Sequence, residues 1–281
     1  MTVFGDAIAP RGGAVWLGSL ITLLAPLGIS ERAVRTSVFR LVEEGWLEAN
    51  RSGRRSQYRL SAEGEKRFLR AHQRVYAPPS PDWKGQWTLV LIAPNQITAA
   101  QKNALKKELL WEGFAALNTG LFAYPGEKTE AMTDILSRTQ AHNKVTLLSA
   151  ADQTVTGALP LAELAQSHWP LKEISKAYGR FIRRFETLLT PTGALSEAEP
   201  EQAFAVRTLL IHAYRRVQLH DPQLPKALLG EAWPGETAYT LCRSIYQQLL
   251  SASDQYVTVT LQQEQSSVRM VRAEFRQRFA A

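Results

Sequence analysis

A single cysteine, Cys242, among 281 residues leaves no internal disulfide and no multi-cysteine zinc site, which suits a reducing compartment. No stretch approaches the roughly 18 consecutive apolar residues of a membrane span, and no basic, apolar, small-residue leader opens the chain. The expectation is a soluble cytoplasmic protein with no membrane partner. Glycine-rich phosphate loops, nucleophile elbows and paired metal-ligand motifs are missing too, so no catalytic residue, metal or cofactor is assigned. His212, and His220 with Asp221, lack a third ligand at a recognisable offset and read as structural. Cys242, inside the helical LCRSIYQQLL, reads as a small core residue.

What the chain does have is positive charge in one place. The formal net charge is +7; residues 1 to 76 hold 12 Lys and Arg against 7 Asp and Glu, while the remainder holds 21 against 19. Such a field suits a polyanionic partner. The length accommodates two or three domains of roughly 100–200 residues each.

The charge sits on a recognisable pattern. Ser30 can cap a helix that Gly45 closes, and between them Val34, Val38, Leu41 and Val42 form one apolar stripe. Arg32, Arg35, Thr36, Arg40 and Glu43 are left on the opposite face, with Phe39 unexpectedly among them. Arginine forks match guanine acceptors in a major groove, and threonine can meet a thymine methyl. Strand-like alternation follows through Trp46, Leu47 and Ala49, then through Tyr58 and Leu60, around a turn at Arg51-Ser52-Gly53-Arg54-Arg55. Residues 51 to 59 contain four arginines and no acid, a composition fit for a phosphate backbone or a minor groove. Trp16, Leu17, Leu20, Ile21 and Leu24 are expected on a supporting helix. The unit predicted is a winged helix-turn-helix over 1–76, with Ser30, Arg32, Arg35, Thr36, Arg40, Arg51, Arg54 and Arg55 as its contacts to double-stranded operator DNA.

Ser61 can start a further helix to about Tyr76, after which Ala77-Pro78-Pro79-Ser80-Pro81 forms a stiff linker placed at 77–85. A strand at 86–92, a helix at 98–111, strand-like residues 114–123, a helix at 127–140 and a strand at 144–149 predict a ferredoxin-like, split βαβ domain over 86–158. The rest, 159–281, is predicted to be a helical effector-binding and dimerisation domain. The class is α+β.

RGGAVWLGSL at 11–20, VRTSVFRLVEEGWL at 34–47, GRRSQYRL at 53–60, WEGFAALNTGL at 111–121 and LIHAYRRVQLHDPQLPKALLGEAWPG at 210–235 resemble the PaaX family of phenylacetate-catabolism repressors. The resemblance implies a homodimeric, sequence-specific repressor of an aromatic-acid operon, released by an acyl-CoA effector such as phenylacetyl-CoA. It also implies a middle domain similar to a small CRISPR-associated nuclease. Those nucleases hold a metal through an acid at the end of their first strand. Here that strand runs into Ala93-Pro94-Asn95, so the fold is expected to serve dimerisation or ligand binding instead.

An acyl-CoA needs cations for its phosphates and an apolar, aromatic-lined site for its acyl group. Trp169, Tyr178, Arg180 and Arg184 on one predicted helix, and Arg207, His212, Arg215 and Arg216 on another, are the candidates for effector binding. Ligand-driven domain rotation through the proline linker is the expected route from effector to DNA. Two other functions compete with this one: an enzyme acting on acyl-CoA or nucleic acid, and an architectural DNA binder without sequence preference. Turnover by the purified protein and competition by unrelated DNA separate them.

Overall fold

The computed structural model describes residues 1–79, 83–93, 96–151, 158–189, 195, 197–264, 271 and 278–279. Ser80 and Pro81 of the expected linker, and Pro94-Asn95 after the first strand of the middle region, lie outside the described residues. The chain forms two compact units, one of 1–78, 180–218 and 237–281, the other of 79–179 and 219–236. Among the described residues no helix is long and apolar enough to cross a membrane.

The first unit begins with short helical turns through residue 11, then strand β1 (Ala14–Trp16), α1 (Leu17–Leu24) and α2 (Glu31–Glu43). Strands β2 (Leu47–Ser52) and β3 (Arg55–Leu60) follow, and then α3 (Ala62–Tyr76). Helix α2 starts at Ser30, whose Oγ accepts from the Ala33 amide at 3.3 Å, and ends before Gly45 at φ +71°. Its inner face buries Val34 and Val38 against Leu20, Leu23 and Leu47, at roughly 1.5–3 kcal/mol of transfer free energy per side chain. Ser52 pairs with Arg55, so the hairpin turns on Gly53-Arg54 alone, with Gly53 at φ +59°. That turn is tighter than the five-residue turn expected.

Trp16 departs from expectation. It ends β1, which pairs antiparallel with β3 and makes the sheet three-stranded in the order β1-β3-β2. Gly12 and Gly13, at φ +100° and +74°, make the reversal that sets this strand beside the hairpin before α1 begins. At the same end of the sheet, Ser61 Oγ accepts from Gly64 N at 2.8 Å and donates to Gly45 O at 2.6 Å. A Cβ on Gly64 would lie 2.1 Å from the Trp46 carbonyl oxygen.

Helices α8 (Pro200–Gln218) and α9 (Gly235–Gln262) complete this unit, placing Phe204, Val257 and Leu261 in the same core as Val34 and Val38. Helix α7 (Leu171–Phe185) is shared between the two units.

The second unit is built on a four-stranded antiparallel sheet. Its elements are β4 (Gln86–Ile92), α4 (Ala99–Trp111), β5 (Ala115–Ala116), β6 (Leu121–Pro125), α5 (Thr129–Thr139) and β7 (Val145–Ala151), with strand order β5-β6-β4-β7. The expected single strand over 114–123 is two strands. The break is local: Gly120 N donates to Asn118 Oδ1 at 2.8 Å, so Leu-Asn-Thr-Gly turns the chain. Alternation along β4 sends Val90 and Ile92 towards α4 and α5, and Trp87 and Leu89 to the other face. There α6 (Leu161–His168), Trp169, Leu224 and Leu228 cover them.

Candidate nucleic-acid interface and the cation clusters

Helix α2 presents Arg32, Arg35, Thr36, Phe39 and Arg40 to solvent, with Phe39 63% exposed. Two of these side chains are oriented within the helix itself. Arg35 Nε donates to Glu31 Oε1 at 2.8 Å, and Thr36 Oγ1 donates to Arg32 O at 2.9 Å. The Arg35–Glu31 pair is exposed and one helical turn apart, a geometry that contributes only about 0.3–0.5 kcal/mol. It can therefore be exchanged for a stronger contact at little cost.

The hairpin carries Arg51, Arg54 and Arg55, all exposed, and Arg55 stacks over the Trp16 ring at 5.0 Å. Arg59 pairs with Glu48 across the β2–β3 ladder at 2.8 Å. Among the described residues no carboxylate pairs with Arg32, Arg40, Arg51, Arg54 or Arg55. The four expected arginines of the ribbon thus divide into three available and one bound. Such a surface has unsatisfied guanidinium donors on both a helix face and a hairpin, the groups that phosphate oxygens and base edges accept from.

A second arginine cluster in the same unit is internal. Asp6 is 4% exposed, and its Oδ2 accepts from Arg207 Nε at 2.7 Å. Its Oδ1 accepts from Tyr76 at 2.6 Å, Arg278 at 2.9 Å and Tyr246 at 3.1 Å. Arg207 also donates to Ser253 and Asp254, and Arg11 pairs with Asp254 at 3.0 Å. Burial alone would raise the Asp6 pKa, but Arg207 and Arg278 outweigh it and hold the carboxyl ionised below its usual range. Beside it His72 is lowered to about 4 by burial and by Arg278, against a smaller opposing effect of Asp6. Sequence reasoning did not single out Asp6. The available signal was its isolation, since it is the one acid before Glu31 and stands in the apolar FGDAIA.

The candidate effector residues fall in separate places. Trp169 and Tyr178 are buried in the second unit, where Trp169 Nε1 donates to Gly113 O at 2.8 Å and Tyr178 Oη donates to Asp221 Oδ2 at 2.6 Å. Arg180 and Arg184 are exposed on the part of α7 that belongs to the first unit. Arg207 is 1% exposed, and all three of its guanidinium nitrogens donate within the internal cluster. His212, Arg215 and Arg216 share α8. There Thr2 Oγ1 accepts from Arg215 Nη1 at 3.1 Å and lies 3.1 Å from His212 Nδ1. Partial burial first, then Arg215, Arg216, the amino terminus and Arg184, lower the His212 pKa, so these groups share one neighbourhood, where burial and Arg215 lower the amino terminus itself to about 6. Among the described residues no group of three or more His, Cys, Asp or Glu side chains could hold a metal ion.

Three family models match consecutive stretches of the chain: PaaX-like protein over residues 1–64, PaaX protein central Cas2-like domain over 80–161, and PaaX-like protein C-terminal domain over 169–259. The transcriptional repressor PaaX of Escherichia coli strain K12 is 39% identical over 258 residues, spanning 92% of this chain and 81% of that protein. The chain belongs to the PaaX family. A solved structure described as uncharacterized protein Rv0674 from Mycobacterium tuberculosis shares its fold, with a TM-score of 0.53 at 24% identity, over 84% of this chain and 89% of that one.

In this PaaX-family chain the sequence block at 111–121 meets residues 219–235 of the last block within the second unit. Gly113, at φ +97°, packs so closely that a Cβ there would lie 2.6 Å from Pro222 O. Asp221 fixes the adjoining turn by accepting from Gln223 N at 2.7 Å as well as from Tyr178, and Trp233 meets the Tyr178 ring edge-on at 5.9 Å. Asp221 thus has a structural task.

Proposed function

We propose that this protein is a sequence-specific, DNA-binding transcriptional repressor of an aromatic-acid, phenylacetate-type catabolic operon, released by an aryl-CoA such as phenylacetyl-CoA. The observation that carries the reading is the surface formed by α2 and the β2–β3 hairpin, on which Arg32, Arg40, Arg51, Arg54 and Arg55 are exposed and have no carboxylate partner among the described residues, in a chain 39% identical to a repressor. Residues 1–76 act as a winged helix-turn-helix, with α2 as reader and the hairpin as wing. Arg32, Arg35, Thr36 and Arg40 face base edges, Ser30 fixes the start of the reader, and Arg51, Arg54 and Arg55 hold phosphates. The protein is a cytoplasmic homodimer whose two readers occupy half-sites about one helical turn apart. The sheet of the second unit is a ferredoxin-like platform, freed from metal chemistry and used for assembly or ligand binding.

The test is an electrophoretic shift on DNA upstream of the protein's own coding region, repeated with aryl-CoA thioesters and the matching free acids. Retardation that survives unrelated competitor DNA and is abolished by a thioester but not by its acid is the expected result. Equal competition by unrelated DNA would leave a charge-driven binder.

A further inference from the structure

Behind the α2 surface lies a cleft of about 540 Å³, within the size range of small-molecule sites. One wall is the inner face of α2, with Val34, Ser37, Val38 and Leu41; the opposite wall is α8, with Thr208, Leu209, His212 and Arg215. Leu24, Leu27 and Ile29 close the side nearest α1, and residues 1–4 the remaining side. Two exposed large apolar side chains of the unit, Leu209 at 44% and Ile29 at 38%, line this cleft.

Charge is distributed unevenly around it. No lining residue is acidic. Arg215 is half-buried with Thr2 as its hydrogen-bond partner, and no carboxylate among the described residues pairs with it. Arg184 and Arg216 lie close enough to act electrostatically on His212 at the same side. A half-buried guanidinium without a counter-ion, among other positive groups and next to an apolar hollow, favours an occupant with an apolar body and an anionic end.

We infer that this cleft is the effector site: it takes the apolar acyl group of the thioester between the reader helix and α8, and holds the anionic arm at Arg215 and its neighbours. This rests on the acyl-CoA reading above and makes it specific. The ligand would touch the back of the helix whose front meets DNA, so no relay through other elements is required. A ligand that fits only when α2 moves off α8 shifts the population towards readers held away from the operator. The linked change in DNA affinity then falls in the usual range of roughly 5–150-fold.

Two substitutions separate the apolar and charged halves of the site while avoiding the DNA face. Leu209→Trp fills the hollow from its exposed rim, and Arg215→Gln removes the charge while keeping a donor for Thr2; Arg215→Lys restores the charge. The first measurement is displacement of each protein from operator DNA by phenylacetyl-CoA, followed by fluorescence anisotropy. The second is binding of 1-anilinonaphthalene-8-sulfonate, an apolar anion, to the DNA-free protein. With operator affinity unchanged in the absence of ligand, L209W and R215Q should each need at least about tenfold more thioester, the scale of one lost charge-assisted contact, while R215K responds like the wild type. The probe should bind the wild type, be displaced by the thioester, and bind L209W and R215Q more weakly.

Unchanged thioester response and unchanged probe binding in L209W and R215Q would overturn the site while leaving the repressor reading intact. A wild type that releases DNA with no aryl-CoA, yet binds the probe in a manner lost in both variants, would retain an anion-binding cleft and overturn its assignment to the effector. The outcomes of the two failures are therefore different.

Discussion

Two sets of arginines in the first unit make opposite use of the same side chain. Arg207, Arg278 and Arg11 surround Asp6 and Asp254, where almost every donor is met by a carboxylate, hydroxyl or carbonyl. Arg32, Arg40, Arg51 and Arg54 stand in solvent with no carboxylate partner among the described residues. The first set is bound up in holding the amino-terminal turns to α8 and α9. The second has its donors available to an external anion. Partnership, and not the number of arginines, separates a structural cluster from a binding surface.

The largest expected effect tests the internal set. Arg207→Met should leave Asp6 and Asp254 short of a counter-ion and destabilise the protein by roughly 3–5 kcal/mol, measured from the midpoint of urea unfolding. A loss below about 1 kcal/mol, the scale of an exposed ion pair, would erase the contrast between the clusters. On the exposed side, Arg35→Ala should leave stability almost unchanged. Its expected cost is about 1–3 kcal/mol of operator affinity with relaxed preference at one base position, read by binding to a panel of single-base operator variants.

His72 sharpens the internal side through pH. Its folded-state value of about 4 lies below the ordinary 6.5, so between these limits the unfolded chain binds more protons than the folded one. Stability should be complete above about pH 6.5 and fall as the pH drops towards 4, by on the order of 2 kcal/mol once its partial exposure is allowed for. Denaturation midpoints of His72→Asn across that window should lack this slope; an unaltered slope would place the titration elsewhere.

Smaller effects belong to the hairpin and the odd aromatic. Arg54→Ala should weaken binding to all sequences alike and reduce the salt slope by about 0.9, seen in affinities over a range of salt concentrations. If Arg35→Ala and Arg54→Ala behave identically, the division between reading and anchoring does not hold. Phe39→Ser should shift stability by less than about 0.5 kcal/mol, because the ring is mostly in solvent, while lowering operator affinity.

The elements with local signals were legible in the sequence. Ser30 and Gly45 bracket α2 because cap hydrogen bonding and positive φ depend on single residues, and Ser61 marks the start of α3 in the same way. Trp16 was misplaced because its apolar neighbours fit a helical stripe. Its strand conformation is set by pairing with Gln57, more than forty residues away. The break in residues 114–123 was written in Asn118 and Gly120, two turn formers outweighed by the apolar residues on either side.

The candidate site divides along the same line. Exposed charge on α2 and the hairpin follows from periodicity, so those residues could be named from spacing. Among the effector candidates, Arg207, His212, Arg215 and Arg216 are expected on one helix from the sequence, but periodicity carries no information about their partners. Asp6, some two hundred residues away, meets Arg207, while Thr2 meets Arg215. The cleft between α2 and α8 was equally invisible, because its walls are distant in sequence.

One oxygen atom ties three elements together. The Ser61 hydroxyl bridges the residue that ends α2 and the first turn of α3, and Gly64 lies against the Trp46 carbonyl with no room for a methyl group. The base of the arginine hairpin is thereby clamped to a fifteen-residue helix, not suspended from a flexible loop. Tilting α3 should swing the hairpin tip like the end of a lever, and alanine at position 64 would wedge that joint open without altering a single charge.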